Sequence, residues 1–367
     1  MFKFLNLQPE IFGIDINDLS LRIAKLKKRR GGFRLVSFNE VQIDSGVVKE
    51  GVIQDQKALV KIIKSSCKSV KGRHLDTKHV AISLPEEKSF SQVIQMPKMA
   101  HEELVTAVPF EAENYIPLPI EKVYMDFQVI NQHSGAAKVS HVDLFINVMP
   151  KPIIDSYVSC FKEAGLVPYI LEVESQAIVR ALVKSQQEIS PSIVMDFGQT
   201  KTSFIIFSGK SIRFTCSIPI SSQQLTLAIA ENLGISFNKA EELKIKQGLL
   251  SKKGNNRANI ISIMDPILSN LAEQIKKYIN FYHGHVSSEY APKDGKIEKI
   301  ILCGGGANLK GFGDFLYKKL AIPVELGDPF ANVVVEKRGL AKSIPYGKSL
   351  SFTTAIGLAL RGASEEM

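Results

Sequence analysis

Apolar positions fall into short runs broken by polar turns, and one arrangement of them occurs twice. Ile193–Met195 and Phe204–Phe207 flank a turn that carries Gly198, Gln199, Thr200, Lys201, Thr202 and Ser203. Both runs are β-branched and aromatic, which predicts paired strands joined by a tight hairpin. Asp196 ends the first of them. The stretch Ile11–Leu26 has the same grammar: an apolar strand ends in Asp15, a polar turn with Asn17 and Asp18 follows, and a second strand begins near Leu21. Each hairpin runs on through a short turn, Lys27–Gly32 or Ser208–Lys210, into a third strand, Phe33–Phe38 or Ile212–Ile218. Two matched β-β-β units half a chain apart predict two related domains facing each other across a cleft.

The rest of the pattern fills in around these units. Gln54–Val70 reads as an amphipathic helix and His79–Leu84 as a strand; Pro85 marks a change of unit. Strands over Ser89–Gln95, Val123–Ile130 and Val142–Val148, with helices over His101–Tyr115 and Ile153–Ala164, predict a small α/β insert spanning residues 86–170. Pro109 is expected to kink the first of those helices or open a new one. Tyr169–Val173 is a strand, Glu174–Lys184 a helix leading out of the insert, and Ser185–Pro191 a polar linker. Beyond the second unit come helices Gln223–Leu233 and Asn238–Gln247, the latter with Asn238 as its N-cap. A polar loop at 251–259 precedes a long helix, Ile260–His283, interrupted at Pro266. A loop over Ser287–Lys296, strand Ile297–Leu302, helix Phe312–Leu320 and strand Pro323–Leu326 follow. The chain is irregular near Phe330–Val335 and closes with a helix over Phe352–Leu360, dense in small residues.

Length and composition narrow the class. With 367 residues the chain can hold two or more domains, and 45% hydrophobic with 23% charged residues is an ordinary globular balance. No apolar run approaches the ~18 residues of a membrane span. Met1–Leu7 lacks a signal-peptide core, and the short acidic tail Arg361–Met367 is no amphipathic anchor. Cys67, Cys160, Cys216 and Cys303 lie far apart, so neither a zinc site nor a disulfide framework is indicated. The net charge of +9 is dispersed except for Lys25–Arg30, which falls at a hairpin turn. No nucleic-acid-binding signature accompanies it, and nucleic acid is not expected as a partner.

The chemistry sits in the turns. A carboxylate beside backbone, hydroxyl and ammonium donors suits a phosphate chain and its Mg²⁺, the donors holding the anion and the carboxylate the metal through its waters. An ordinary hairpin with a polar turn has the same grammar. A second glycine turn, Gly304, Gly305 and Gly306 followed by Asn308, comes after a strand and lets the backbone lie flat against a ring or a phosphate. It is not a Walker A loop, because Phe312 and Gly313 stand where Lys and Ser/Thr belong, nor GxGxxG, because Leu309 takes the third Gly position. Glu241 and Lys244 lie one helical turn apart on one face, as a surface ion pair would. Glu174 falls at a strand-to-helix junction, where it can favour the helix dipole or point into the cleft and orient a water. Ala355, Gly357 and Ala359 permit a close helix crossing, as a hinge or as core packing.

Taken in order, these pieces resemble the actin-like ATPase superfamily. Asp15–Arg22, Glu172–Ala177, Asp196–Ser203, Leu302–Gly311 and Thr353–Ala359 stand where that superfamily has phosphate-1, connect-1, phosphate-2, adenosine and connect-2. Ala240–Lys244 matches a helix that contacts the ribose in one branch. Phe110–Val129, an acidic helix, then Tyr115, Ile116, Pro117, Leu118 and Pro119, then a strand entered through Asp126-Phe127-Gln128, is similar to the PilM family of type IV pilus assembly proteins. The resemblance implies an α/β, actin-like (duplicated ribonuclease H-like) two-domain fold with a 1C-type insert. Residues 9–85, 171–190 and 346–367 would form subdomain 1A, 86–170 subdomain 1C, 191–225 and 297–345 subdomain 2A, and 226–296 subdomain 2B.

It further implies ATP and Mg²⁺ between the halves, with Asp15 and Asp196 at the metal. Asn17, Asp18, Arg22, the Gly198–Thr202 turn, Glu241, Lys244, the Gly304–Gly306 turn and Asn308 are assigned to the nucleotide, and Glu174 to positioning water. Asn17 replaces the usual Gly and Arg22 the frequent Lys, which points to slow hydrolysis at most. The implied partner is the N-terminal cytoplasmic tail of a PilN-like inner-membrane protein, docked at Tyr115–Pro119 in a groove between subdomain 1C and the body of 1A, which would hold the chain at the cytoplasmic face of the inner membrane. Other platform components, the assembly ATPase and self-association are further candidates. An FtsA-like division protein and a small-molecule kinase on the same fold are the alternatives.

Overall fold

In the computed structural model, which describes residues 9–130, 141–184, 189–250, 255–285, 296–336 and 338–365, the two β-β-β units are the centres of two sheets. The first sheet runs Gly32–Gln42, Ser20–Arg29, Phe12–Ile16, His79–Leu84, Val167–Val173, with the short strand Lys71–Gly72 added beyond Gly32–Gln42. The second runs Ser211–Ile218, Thr202–Gly209, Ile189–Phe197, Lys299–Cys303, Val324–Leu326. In each, three antiparallel strands are followed by two parallel ones. The duplicated α/β architecture is the one the apolar pattern predicts.

A third, antiparallel sheet takes Phe90–Pro97, His141–Pro150 and Val123–Ile130, in that order. Helix His101–Ala112 covers one face of it, burying Leu104, Val108 and Ala112 with Ile116 against Ile94, Leu144 and Ile146. On the other face Phe145 and Ile130 pack with Ile178, Val194, Ile205 and Phe207, so the insert rests where the two large sheets approach one another. Helix Lys151–Glu163 turns away from this small sheet. Its Tyr157, Cys160 and Phe161 join the core of the first large sheet beside helix Gln56–Lys68.

Helices Glu174–Leu182 and Thr353–Glu365 connect the halves. The former buries Ile178, Val179 and Leu182 against Val194, Ile205 and Ile301 of the second sheet. The latter buries Ala355, Ile356, Ala359 and Leu360 against Ala24, Leu26, Leu35 and Phe38 of the first. They cross where a Cβ at Gly357 would stand 1.8 Å from the Ala177 carbonyl oxygen, a spacing that only a missing side chain permits. Arg180 straddles the crossing, its Nη1 donating to Glu172 Oε2 at 2.5 Å and to the Gly357 carbonyl at 3.3 Å.

Local expectations differ from the structure at four places. The helix expected from Asn238 begins at Phe237, and its N-cap is Ser236, whose Oγ accepts from the Lys239 N–H. Asn238 lies inside the first turn. Helix Asn255–His285 starts before the expected Ile260 and runs unbroken through Pro266. Helix His101–Ala112 likewise contains Pro109. A proline inside a helix loses one hydrogen bond and crowds the preceding turn. Here Met264, Leu268, Leu271 and Ile275 are fully buried in the second core, and that packing outweighs the local cost. The strand expected after the Ser185–Pro191 linker already begins at Ile189. Met1–Leu7, 185–188, 251–254, 287–295 and the last two residues lie outside the described residues. Among the described residues no helix is long and apolar enough to cross a membrane.

Candidate functional site

The duplication brings two equivalent carboxylates to one place. Asp15 pairs across its hairpin with Arg22, and Asp196 with Ser203. Each Asp ends the central strand of its sheet, and both line a cavity of about 250 Å³ between the halves. The next parallel strand supplies the neighbour in each case, Ser83 beside Asp15 and Cys303 beside Asp196. Ser83 Oγ donates to Asp15 Oδ1 at 2.9 Å, Asn17 Nδ2 donates to Oδ2 at 3.1 Å, and Arg22 Nη1 stands 3.9 Å from Oδ2. Burial raises Asp15 against the pull of Arg22 and Ser83. Burial, with the negative charge of Asp15 added, pushes Asp196 up to about 6, although Arg22 and Lys201 oppose it. Two buried carboxylates whose charged forms are disfavoured make a site that favours a cation.

Backbone closes the cavity. Gly304 follows Cys303 at φ +82°, and a Cβ there would stand 1.9 Å from Asp196 Oδ1 and 2.7 Å from the Phe197 carbonyl. A residue with a side chain could not bring the main chain so near that carboxylate. In the opposing turn the Gly198 N–H donates to the Lys201 carbonyl at 2.9 Å. The first N–H groups of helix Ser222–Leu233 donate to the carbonyls of Gly198 and Gln199, tying helix to turn. Lys244 is buried under this joint. Its ammonium lies 2.9 Å from the Ser222 carbonyl, 2.7 Å from Ser222 Oγ, 2.8 Å from Thr226 Oγ1 and 2.8 Å from Glu241 Oε2. The expected Glu241–Lys244 pair therefore forms, but as an inward latch with a saturated ammonium.

Asp15, Asn17, Arg22, Glu174, Asp196, Gly198, Gln199, Thr200, Lys201, Glu241, Lys244, Gly304, Gly305 and Gly306 all line the cavity. Three assigned residues stand behind it. Asp18 accepts from the N–H groups of Glu50 and Gly51, each at 3.0 Å. Thr202 is fully buried and its hydroxyl donates to the Ile220 carbonyl. Asn308 holds the glycine loop in place, donating to the carbonyls of Gly305 at 3.0 Å and Gly347 at 2.8 Å.

Glu174 heads its helix and also faces the cavity, where Lys201 meets it at 2.8 Å. The same ammonium is bonded to Glu87. Burial pulls Lys201 down, and the charges of Glu174 and Glu87 outweigh it, holding Lys201 well above an ordinary lysine. Burial pushes Glu174 upward; Lys201 opposes that, while Glu87 and Asp15 add to it. Ser83, Glu86, Glu87, Ser222, Ser351 and Thr354 were not among the residues the sequence singled out. The repeat itself carries the signal for Glu86 and Glu87, because the loop after His79–Leu84 is equivalent to the glycine turn after Lys299–Cys303; Ser83 lies at the end of that strand, as Cys303 does in the other.

A second, larger space of about 1060 Å³ opens beside the cavity. Its walls are edge strand Phe90–Pro97 of the insert and edge strand Ser211–Ile218 of the second half, with Asp18 and Glu50 from the first. Tyr115 lines it and is 41% exposed, whereas Ile116 is buried in the insert core. Pro117, Leu118 and Pro119 are exposed beyond the groove lining. Arg213 and Asp143 stand 3.7 Å apart within it.

Comparison with known proteins agrees with the duplicated fold. The chain is 23% identical to the cell division protein FtsA of Enterococcus faecalis over 365 aligned residues, 88% of this chain and 81% of that protein. Its structure is similar to a chain of the PilM–PilN type IV pilus biogenesis complex, with a TM-score of 0.79 and 25% identity over 96% of this chain and 98% of that one. MreB5 of Spiroplasma citri bound to AMPPNP, at a TM-score of 0.55 and 13% identity over 96% and 95%, shares the fold. The family model described as type IV pilus assembly protein PilM matches residues 13–363, which takes in both hairpins, the insert, the glycine turn and the closing helix. From Gly13 to Ala363, then, this actin-like chain belongs to the PilM family of type IV pilus assembly proteins.

Proposed function

We propose that the protein binds ATP with Mg²⁺ in the cavity between its halves and serves as an adaptor that docks the N-terminal cytoplasmic tail of a PilN-like protein of the inner membrane. The carrying observation is the convergence of Asp15 and Asp196 on one cavity closed by Gly304. Among the described residues no group of three or more His, Cys, Asp or Glu is placed to hold a metal ion. A two-carboxylate site nonetheless fits Mg²⁺, which keeps several waters and takes one or two carboxylates together with substrate phosphates. Bound there, the metal would neutralise phosphate charge. Asp15 and Asp196 would hold its waters, the Gly198–Lys201 turn would meet the phosphates, and Gly304–Gly306 would lie against the base. Glu174, engaged by Lys201, is poorly placed to take a proton, which favours binding over rapid turnover.

The partner reading draws on the likeness to a PilM–PilN complex and on the groove beside the insert. Division into subdomains 1A, 1C, 2A and 2B accompanies it; the groove is bounded by 1C on one side and chiefly by 2A on the other, where 1A was expected, with Asp18 and Glu50 the contribution of 1A. The FtsA alternative has the 23% identity to that protein behind it but no family model, and the kinase alternative gains no comparable observation. Differential scanning fluorimetry tests the cavity. ATP–Mg²⁺ at about 100 times its Kd should stabilise the protein by ~2.7 kcal/mol through mass action, and Asp196→Ala should remove most of the shift. A full shift in the variant overturns the metal assignment. Titration of a labelled tail peptide against wild type, Tyr115→Ala and Leu118→Asp tests the docking. Unchanged affinity in both folded variants places the peptide elsewhere.

A further inference from the structure

Lys201 belongs to both spaces at once. It lines the cavity between the halves and the groove beside the insert. Its ammonium joins Glu174, on the cavity side, to Glu87, on the groove side. Neither link is a loose surface pair: the three side chains are 17%, 5% and 18% exposed for Lys201, Glu174 and Glu87. Partly desolvated ions of this kind are costly to leave without a partner.

The groove end around Glu87 is acidic. Asp18, Glu50, Glu86 and Glu87 all line it. Glu86 is only 3% exposed, and its Oε2 accepts from the Ser175 N–H at 3.1 Å. The lining cations are Lys88, Lys201 and Arg213, and Arg213 already faces Asp143. Lys201 is the cation bonded to Glu87, and it is mounted on the turn assigned to the phosphates.

We propose that Lys201 is a counter-ion shared between the two sites. Phosphates entering the cavity draw it off Glu87, and the acidic end of the groove then takes a cationic side chain of the docked peptide in its place. The inference rests on the nucleotide-and-peptide reading given above and adds to it the chemistry of the partner, an extended peptide with a lysine or arginine that meets Glu87, and the direction of coupling. Each ligand strengthens the other, by the same factor in both directions. Without nucleotide, Lys201 and the peptide's cation compete for one carboxylate.

The experiment is fluorescence anisotropy with two labelled peptides of the PilN-like tail, both N-acetylated to remove the terminal charge. One carries its native Lys and Arg residues; in the other these are replaced by Gln. AMPPNP–Mg²⁺ should tighten the cationic peptide by roughly 5–150-fold, the usual span of such couplings, and leave the neutral one unchanged. Glu87→Gln should abolish the nucleotide dependence, and Glu87→Asp should restore part of it, which separates lost charge from lost folding. The reciprocal titration, AMPPNP affinity with and without cationic peptide, should return the same factor. Equal tightening of the two peptides, or coupling that survives in folded Glu87→Gln, overturns the proposal. If wild type binds both ligands independently, this inference fails and the functional reading stands; if it binds neither, both fall.

Discussion

The helix crossing at Gly357 allows a prediction whose sign can be worked out in advance. Replacing Gly by Ala inside a helix ordinarily stabilises by roughly 0.5–1 kcal/mol, because glycine loses more backbone entropy on folding. At Gly357 the new methyl would stand 1.8 Å from the Ala177 oxygen and 2.5 Å from its carbonyl carbon. Both are backbone atoms of the facing helix, so no rotamer change relieves the contact; the helices must separate. Overpacking costs about 1–3 kcal/mol when side chains can adjust, and a main-chain contact falls at or above the top of that range. The net expectation for Gly357→Ala is a loss of ~2 kcal/mol or more. For halves the size of these, that lowers Tm by roughly 4–8 °C. Gly284→Ala is the matched control, because Gly284 also lies in a helix and a Cβ there meets nothing within 4 Å. It should leave Tm unchanged or raise it slightly. The assay is thermal and urea unfolding of both variants beside wild type. A Gly357→Ala protein that melts within a degree of wild type refutes the argument that this spacing is fixed.

Other outcomes follow from the cavity. Gly304→Ala should lose nucleotide binding by isothermal titration calorimetry, because its Cβ would overlap Asp196 Oδ1 at a φ of +82°. Retained affinity would mean that the loop does not set the position of that carboxylate. Asp196 has a folded-state value near 6, above the ordinary carboxylate, so its contribution to stability is present at low pH and is lost as pH rises through about 6. Asp196→Asn should flatten that part of the urea-midpoint profile, and Mg²⁺ should stabilise wild type more above this pH than below it. ATP turnover should stay below ~1 per second in a steady-state phosphate-release assay, since Lys201 engages Glu174; a rate within the ordinary enzyme range of ~1–10³ per second contradicts this.

What the sequence could reveal depended on how local each feature was. The twin hairpins were legible because β-branched and aromatic runs such as Phe204–Phe207 have few other ways to bury themselves. The small residues near Gly357 were visible too, though only the structure shows that they fix the crossing with Ala177. Helix ends were harder: Ser236 and Asn238 are both good caps, and nothing local favours one. Pro266 suggested a break because the buried face that overrides it is formed by distant strands. The bond between Lys201 and Glu87 joins residues 114 apart in sequence and could not be read from either neighbourhood. For Tyr115–Pro119 the motif was evident but not its orientation, and the fold turns Ile116 inward while Tyr115 reaches the groove.

The closing helix also constrains how the chain is made. The five strands of the second sheet and most of the helices over them fall between Ile189 and Leu326, a stretch that can begin to fold as soon as it has been synthesised. The first half cannot, because Thr353–Glu365 covers strands that were made near the start. Between the last strand of the first sheet, Val167–Val173, and that helix lie roughly 180 residues, on the order of 10–40 s of synthesis at ~5–20 residues per second. For most of that interval Ala24, Leu26 and Leu35 lack both this helix and the Phe330–Ile344 segment that complete their cover. Folding on the ribosome therefore runs against the order of synthesis, and the nascent first sheet is the surface on which a chaperone would act.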